Sequence, residues 1–123
     1  MPNCYHVLVV DDQKGVRQLL ETFFGEKGFS VTTANNGLEA VNCIMKKVPD
    51  LVIMDVKMPI MDGTEALAQI KHNKPCLPVI MMTAYVDVLM QEEFAALGAE
   101  ACILKPIDLE KLLETVMKAL EPK

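Results

Sequence analysis

The chain is predicted to be an α/β protein: a (βα)5 three-layer sandwich whose single parallel sheet has strand order 2-1-3-4-5. Two observations predict the class and a third predicts the order. Short apolar runs recur along the chain, and segments with apolar residues at helical spacing separate them. The runs are continuous rather than alternating, which is how strands read when helices cover both faces of a parallel sheet. One strand candidate, Ser30-Val31-Thr32-Thr33-Ala34, is half polar and belongs at an edge. With right-handed crossovers, that favours 2-1-3-4-5 and leaves strands 1, 3 and 4 innermost.

The first strand is Val7-Leu8-Val9-Val10, stopped by Asp11-Asp12. Val16, Leu19, Leu20, Phe23 and Phe24 then recur at helical spacing, and Gly28 ends that helix. After the polar second strand, Asn36 caps the next helix, with Glu39 three residues on as its reciprocal partner. Leu51-Val52-Ile53-Met54 is the third strand. Asp62 and Glu65 repeat the capping spacing before a short helix through Leu67 and Ile70. Pro78 opens the fourth strand, Val79 to Met82. A less regular helix carries Leu89, Met90, Phe94 and Leu97, closed by Gly98. Ala101 to Leu104 is the fifth strand. Asp108 starts the clearest helix, with Leu109, Leu112, Leu113, Val116, Met117 and Leu120 on one stripe.

Length and composition bound the function. A single domain is expected over the 123 residues, 1–123 with a core at about 6–121 and no output domain. With 51% hydrophobic residues the chain can bury a core and is not disordered. Its 12 Lys and Arg against 17 Asp and Glu give a net charge of −5, which disfavours direct binding to nucleic acid or an anionic membrane. No apolar run approaches the roughly 18–20 residues of a membrane span, and no basic segment precedes the first strand, so a cytoplasmic protein is expected. Cys4, Cys43, Cys76 and Cys102 form no CxxC pair, and only His6 and His72 could join them as metal ligands. Buried reduced thiols are expected rather than a zinc site or disulfides.

The chemistry gathers where strands end. In a doubly wound sheet, sites lie beyond the carboxyl ends of the strands where the winding reverses, here between strands 1 and 3. The first strand ends in Asp11-Asp12, the third in Asp55, the fourth in Thr83 and the fifth in Lys105-Pro106. Three carboxylates at one point repel unless a cation joins them. Oxygen-only ligands suit a hard ion, Mg²⁺ above all. An ion, an ammonium and a hydroxyl around one carboxylate can clamp the three oxygens of a phosphoryl group, and a carboxylate can itself be the nucleophile. Each residue alone has an ordinary explanation. Asp11 and Asp12 could cap the first helix, Asp55 could sit in a loop, Thr83 in a turn and Lys105 in solvent. Their joint placement at consecutive strand ends is what those explanations leave out.

Asp11-Asp12, Asp55 within Met54-Asp55-Val56-Lys57-Met58-Pro59, Met61-Asp62-Gly63, Thr83-Ala84 and Lys105-Pro106 together resemble a bacterial response-regulator receiver domain, over residues 6 to 121. The resemblance implies a flavodoxin-like fold and a phosphoacceptor role in a two-component system or phosphorelay. Asp55 would accept a phosphoryl group from a phosphohistidine and be the modified residue. Asp12, Asp55 and the backbone carbonyl of Lys57 would ligate Mg²⁺, with Mn²⁺ as a substitute, and Asp11 would act through a coordinated water. Thr83 and Lys105 would each bond a phosphoryl oxygen, and the Lys105-Pro106 peptide would be cis. Such a domain catalyses its own phosphorylation and dephosphorylation without being a turnover enzyme in the ordinary sense.

Within the family, Asp12-Gln13, Gly15, Lys57, Met82-Thr83-Ala84-Tyr85 and Lys105-Pro106 are similar to the single-domain relay type of sporulation phosphorelays. That likeness implies a sensor histidine kinase or a histidine phosphotransfer protein as partner, and a monomer. The partner would meet Val16, Leu19, Pro106 and Ile107, ringed by Gln13, Lys14 and Tyr85; the alternative is that Val16 and Leu19 are core positions. Lys57 and Tyr85 flank the acceptor and offer no group suited to orient an attacking water, so slow self-hydrolysis is expected.

The chain departs from the family at Cys102, where many receivers carry an aromatic residue that swings inward. Other readings remain. The chain could be the receiver part of a longer transcriptional regulator. A phosphatase of the haloacid-dehalogenase type would want an aspartate two residues after its nucleophile, where Lys57 stands. A flavin-binding module would want a Ser/Thr/Gly-rich loop at Asp11-Asp12, where acidic side chains would repel phosphate.

Overall fold

The computed structural model describes residues 5–84 and 88–121, and Tyr85 lies outside them. Among the described residues ten elements alternate: β1 (His6–Val10), α1 (Lys14–Glu26), β2 (Ser30–Ala34), α2 (Gly37–Lys46), β3 (Leu51–Asp55), α3 (Gly63–Asn73), β4 (Val79–Thr83), α4 (Val88–Ala96), β5 (Ala101–Leu104) and α5 (Leu109–Leu120). All sheet pairings are parallel, in the order β2-β1-β3-β4-β5. The half-polar strand is at the edge, as its composition requires.

Successive strand residues face opposite sides of the sheet, so continuous apolar strands feed two cores at once. Leu8, Val10, Val52, Met54, Val79 and Met81 pack with Ile44, Leu67, Ile70 and Phe94, under α2, α3 and α4. Their neighbours Val7, Val9, Leu51, Ile53, Ile80 and Met82 pack with Leu20, Phe24, Leu112 and Val116, under α1 and α5. Burying one such side chain is worth about 1.5–3 kcal/mol, so a one-residue slip in any inner strand would undo both cores together.

The caps follow the sequence with one change. Asn36 Oδ1 accepts the Glu39 N–H at 2.8 Å, and Asp62 Oδ1 accepts the Glu65 N–H at 2.9 Å. Asp108 accepts from both Glu110 and Lys111. Glu39 returns its carboxylate to the N–H of Asn35, at 2.7 Å, rather than to that of Asn36. Neither Asp11 nor Asp12 caps α1: the cap position is Gln13, with no side-chain cap bond. Cys4 lies outside the described residues, and the other three thiols are less buried than expected. Cys43 and Cys102 are half-buried and Cys76 is exposed, because Cys76 sits in the turn between α3 and β4 rather than on a core face.

Candidate functional site

Parallel strands end at one edge, and each inner strand delivers a polar side chain there. Asp55 and Thr83 are the last residues of β3 and β4, Asp11 follows β1 directly, and Lys105 follows β5. Asp11 is fully buried, Thr83 is 2% exposed and Asp55 8%, while Asp12 and Lys57 reach solvent. Asp12, Gln13, Asp55, Lys57, Thr83 and Lys105 line an open pocket of about 310 Å³. Asp11 lies behind it.

Buried polar groups need partners, and these have them. Lys105 Nζ donates to Asp11 Oδ2 at 2.9 Å and lies 3.3 Å from Asp55 Oδ1. Gln13 N–H donates to Asp11 Oδ1, and Val56 N–H to Asp55 Oδ1, both at 2.9 Å. The main chain supports this arrangement. Lys105 N–H donates to Thr83 O at 2.7 Å, and the Lys105-Pro106 peptide is cis.

The electrostatics follow from burial and crowding. Burial raises the Asp55 carboxyl above its usual value; the charge of Asp11 raises it further, and Lys105 and the Val56 N–H pull only part of the way back. Burial alone would lower Lys105, but its hydrogen bond and charge interaction with Asp11, joined by Asp55, outweigh that and hold the ammonium above its usual value. The site is therefore short of positive charge. Asp11, Asp12 and Asp55 each bring a carboxylate oxygen within 4.8 Å of the others. An all-oxygen set of this size, part sealed and part open to water, fits a hard divalent ion that keeps some of its waters.

The acceptor loop is shaped by close approaches that the sequence motifs do not announce. Gly63 N–H donates to Val56 O at 2.7 Å, and a Cβ at Gly63 would fall on the carbonyl oxygen of Asp55. At the tip, Met61 N–H turns back to Pro59 O at 2.7 Å, leaving Ile60 at φ +69°, a strained conformation for a β-branched residue. Gly37 N–H then binds Met61 O at 2.9 Å, tying the loop to α2. Arg17 is another residue that sequence reasoning passed over. Its guanidinium donates to the Asp11 carbonyl at 2.8 Å, and no spacing rule links an arginine in a helix to the loop before it.

Around the pocket, Gln13, Lys14 and Pro106 are exposed, and Val16 and Ile107 are half-buried against the core beneath α1 and α5. Leu19 is 49% exposed and is therefore not a core residue. Cys102 is half-buried against the other core, and burial raises its thiol pKa. Among the described residues, no helix is long and apolar enough to cross a membrane.

The family described as response regulator receiver domain matches residues 7–117. The chain is 41% identical over 114 residues to sporulation initiation phosphotransferase F of Bacillus subtilis, covering 93% of this chain and 92% of that protein. It is also 41% identical over 115 residues to regulatory protein AtoC of Escherichia coli, covering 94% of this chain but only 25% of AtoC. A chain in the crystal structure of the CheX-CheY-BeF3-Mg²⁺ complex from Borrelia burgdorferi superposes with a TM-score of 0.91 at 32% identity, over 96% of this chain and 90% of that one.

Proposed function

The chain belongs to the response regulator receiver domain family, and from that premise we propose that it takes a phosphoryl group from a phosphohistidine onto Asp55 and passes it to a second histidine. Receiver domains bind Mg²⁺ at an acidic pocket and interact with histidine kinases and phosphotransfer proteins. The observation that carries the reading is the position of Asp55, on the wall of the pocket, 3.3 Å from the Lys105 ammonium and within 4.8 Å of the Asp12 carboxylate.

Asp55 Oδ attacks phosphorus, the P–N bond breaks, and its electron pair returns to the imidazole of the donor. Lys105 and Thr83 border the space the transferred oxygens enter, and their ammonium and hydroxyl can stabilise charge there. Asp12, Asp55 and the Lys57 carbonyl would hold Mg²⁺, or Mn²⁺ in its place; when bound, the ion offsets the charge of the carboxylates and the phosphoryl oxygens. Asp11, sealed behind the pocket, orients Lys105.

The relay reading is supported by the near full-length match to the sporulation phosphotransferase. Under it, this chain serves a phosphorelay of that kind as a one-domain cytoplasmic monomer, and the partner meets the surface of Gln13, Lys14, Val16, Leu19, Tyr85, Pro106 and Ile107. Leu19 and Pro106 are exposed, and Pro106 directly follows the pocket residue Lys105, which suits such a contact. A second reading, the receiver segment of a transcriptional regulator, draws on the match to a quarter of AtoC.

One experiment tests both. The protein with Mg²⁺ and a small acyl-phosphate donor should gain one acid-labile phosphoryl group on Asp55, located by mass spectrometry after borohydride reduction. It should then decay over minutes or longer, and return the group to a histidine phosphotransfer domain. No label on Asp55 would refute the acceptor reading. Loss within seconds would refute the relay and favour a short-lived signalling receiver.

A further inference from the structure

We propose that Arg17 is a positioning residue for the divalent-cation site, holding the loop from which Asp12 projects. The inference rests on the reading of the acidic pocket as a cation site. Asp11 is fully buried and bonded through all four of its polar groups. Its N–H donates to Ala34 O at 3.1 Å, its Oδ1 accepts from Gln13 N–H and its Oδ2 from Lys105 Nζ, both at 2.9 Å. The carbonyl is held by Arg17 Nη1 at 2.8 Å.

That carbonyl lies in the same planar peptide as the N–H of Asp12, so the guanidinium that fixes one fixes the direction in which the next residue leaves. Asp12 is exposed, and the main chain must do for it what packing does for an interior side chain. Arg17 is well placed for this. Its own N–H donates to Gln13 O at 3.2 Å in the first turn of α1, and its side chain reaches back over the loop. Helix and loop are thereby joined at both ends of the segment 11–17.

Charge and positioning make opposite predictions. A guanidinium near a cation site repels the ion, so if charge were its main effect, removing it would tighten binding. If it positions Asp12, removing it weakens binding, as loss of an outer-shell partner does, by about 10–100-fold.

Mn²⁺ binding by the full chain, read from the EPR signal of the free ion, separates the two. Arg17→Ala is expected to bind Mn²⁺ at least about tenfold more weakly than the native chain. The deficit should persist at about 0.5 M KCl, where diffuse charge effects are screened. Arg17→Lys keeps the charge without the planar fork and should also bind more weakly; it serves if Arg17→Ala does not fold. The Asp12 amide resonance of the metal-free variant should shift. Unchanged or tighter binding in Arg17→Ala, or native binding in Arg17→Lys, would overturn the proposal while leaving the site reading intact. A native chain that binds no Mn²⁺ would overturn both.

Discussion

Lys105 and Asp11 are 94 positions apart in the chain, yet the ammonium of one lies 2.9 Å from a carboxylate oxygen of the other. Asp11 has no exposure and the Lys105 side chain only 18%. Removing one partner of such a pair leaves the other charge buried and alone, which costs more than the pair itself contributes. Lys105→Met is expected to lower stability without metal by about 3 kcal/mol. Because ion and ammonium both answer the charge of Asp55, Mg²⁺ should raise the melting temperature of Lys105→Met by more than that of the native chain. Melting curves with EDTA and with excess Mg²⁺ check this; equal shifts would contradict it.

Asp55→Asn is expected to stabilise the metal-free fold at neutral pH while abolishing phosphoryl uptake. Burial, and then Asp11, raise the native pKa of Asp55 above its usual 3.8. The native state therefore holds that proton more tightly than the unfolded chain, and stability falls as pH rises from about 3.8 through the native value. Above the native value the full cost is present, and the neutral amide removes it. Urea melts of both proteins at pH 7 in EDTA should show the variant ahead, with the gap closing toward pH 4.

Gly63→Ala should destabilise by at least about 1–3 kcal/mol, since the added methyl meets the Asp55 carbonyl and main-chain atoms cannot turn aside as a side chain can. The same change pushes on the residue that carries the acceptor. Phosphorylation rate measured well below the melting point should fall in parallel; a native rate in a destabilised variant would contradict the close approach.

His6 predicts an acid-side slope. Burial, and then Lys47, lower its pKa below 6.5, against the opposing pull of Asp50. Its Nε2 is 2.7 Å from Thr32 Oγ1, and its Nδ1 is buried with no partner among the described residues. A group whose native pKa is depressed binds its proton more readily when unfolded, so stability drops as pH falls from about 6.5 through the native value. His6→Gln should flatten that part of the stability–pH curve, measured by urea unfolding between about pH 7 and 5; an unchanged slope would assign it elsewhere.

Much of the site could be read before any distance was known. Asp55, Thr83 and Lys105 each end or follow a continuous apolar run, and parallel strands bring such ends to one edge whatever the details. Asp62 and Asn36 could be read as caps because a cap acts within three residues of itself. Arg17, Gly37 and Gly63 could not be read in the same way. Their partners are the carbonyls of Asp11, Met61 and Val56, and a main-chain carbonyl has no signature in residue type. Leu19 was ambiguous for a related reason: its spacing fits the helix stripe, and only the placement of α1 over the sheet leaves it 49% exposed.

By itself, then, the sequence determined the elements, their parallel order and the edge at which the carboxylates collect, because hydrophobic period and capping are local and the sheet's chirality does the rest. The tertiary structure alone decided how that edge is divided. Asp11 is sealed behind the pocket against Lys105 and the carbonyl-bound Arg17, while Asp12 and Asp55 are left facing its opening. Adjacent residues with the same side chain acquire different roles because burial and partners from distant segments differ by a single turn of the backbone. That difference is set only once β1, α1 and β5 have packed.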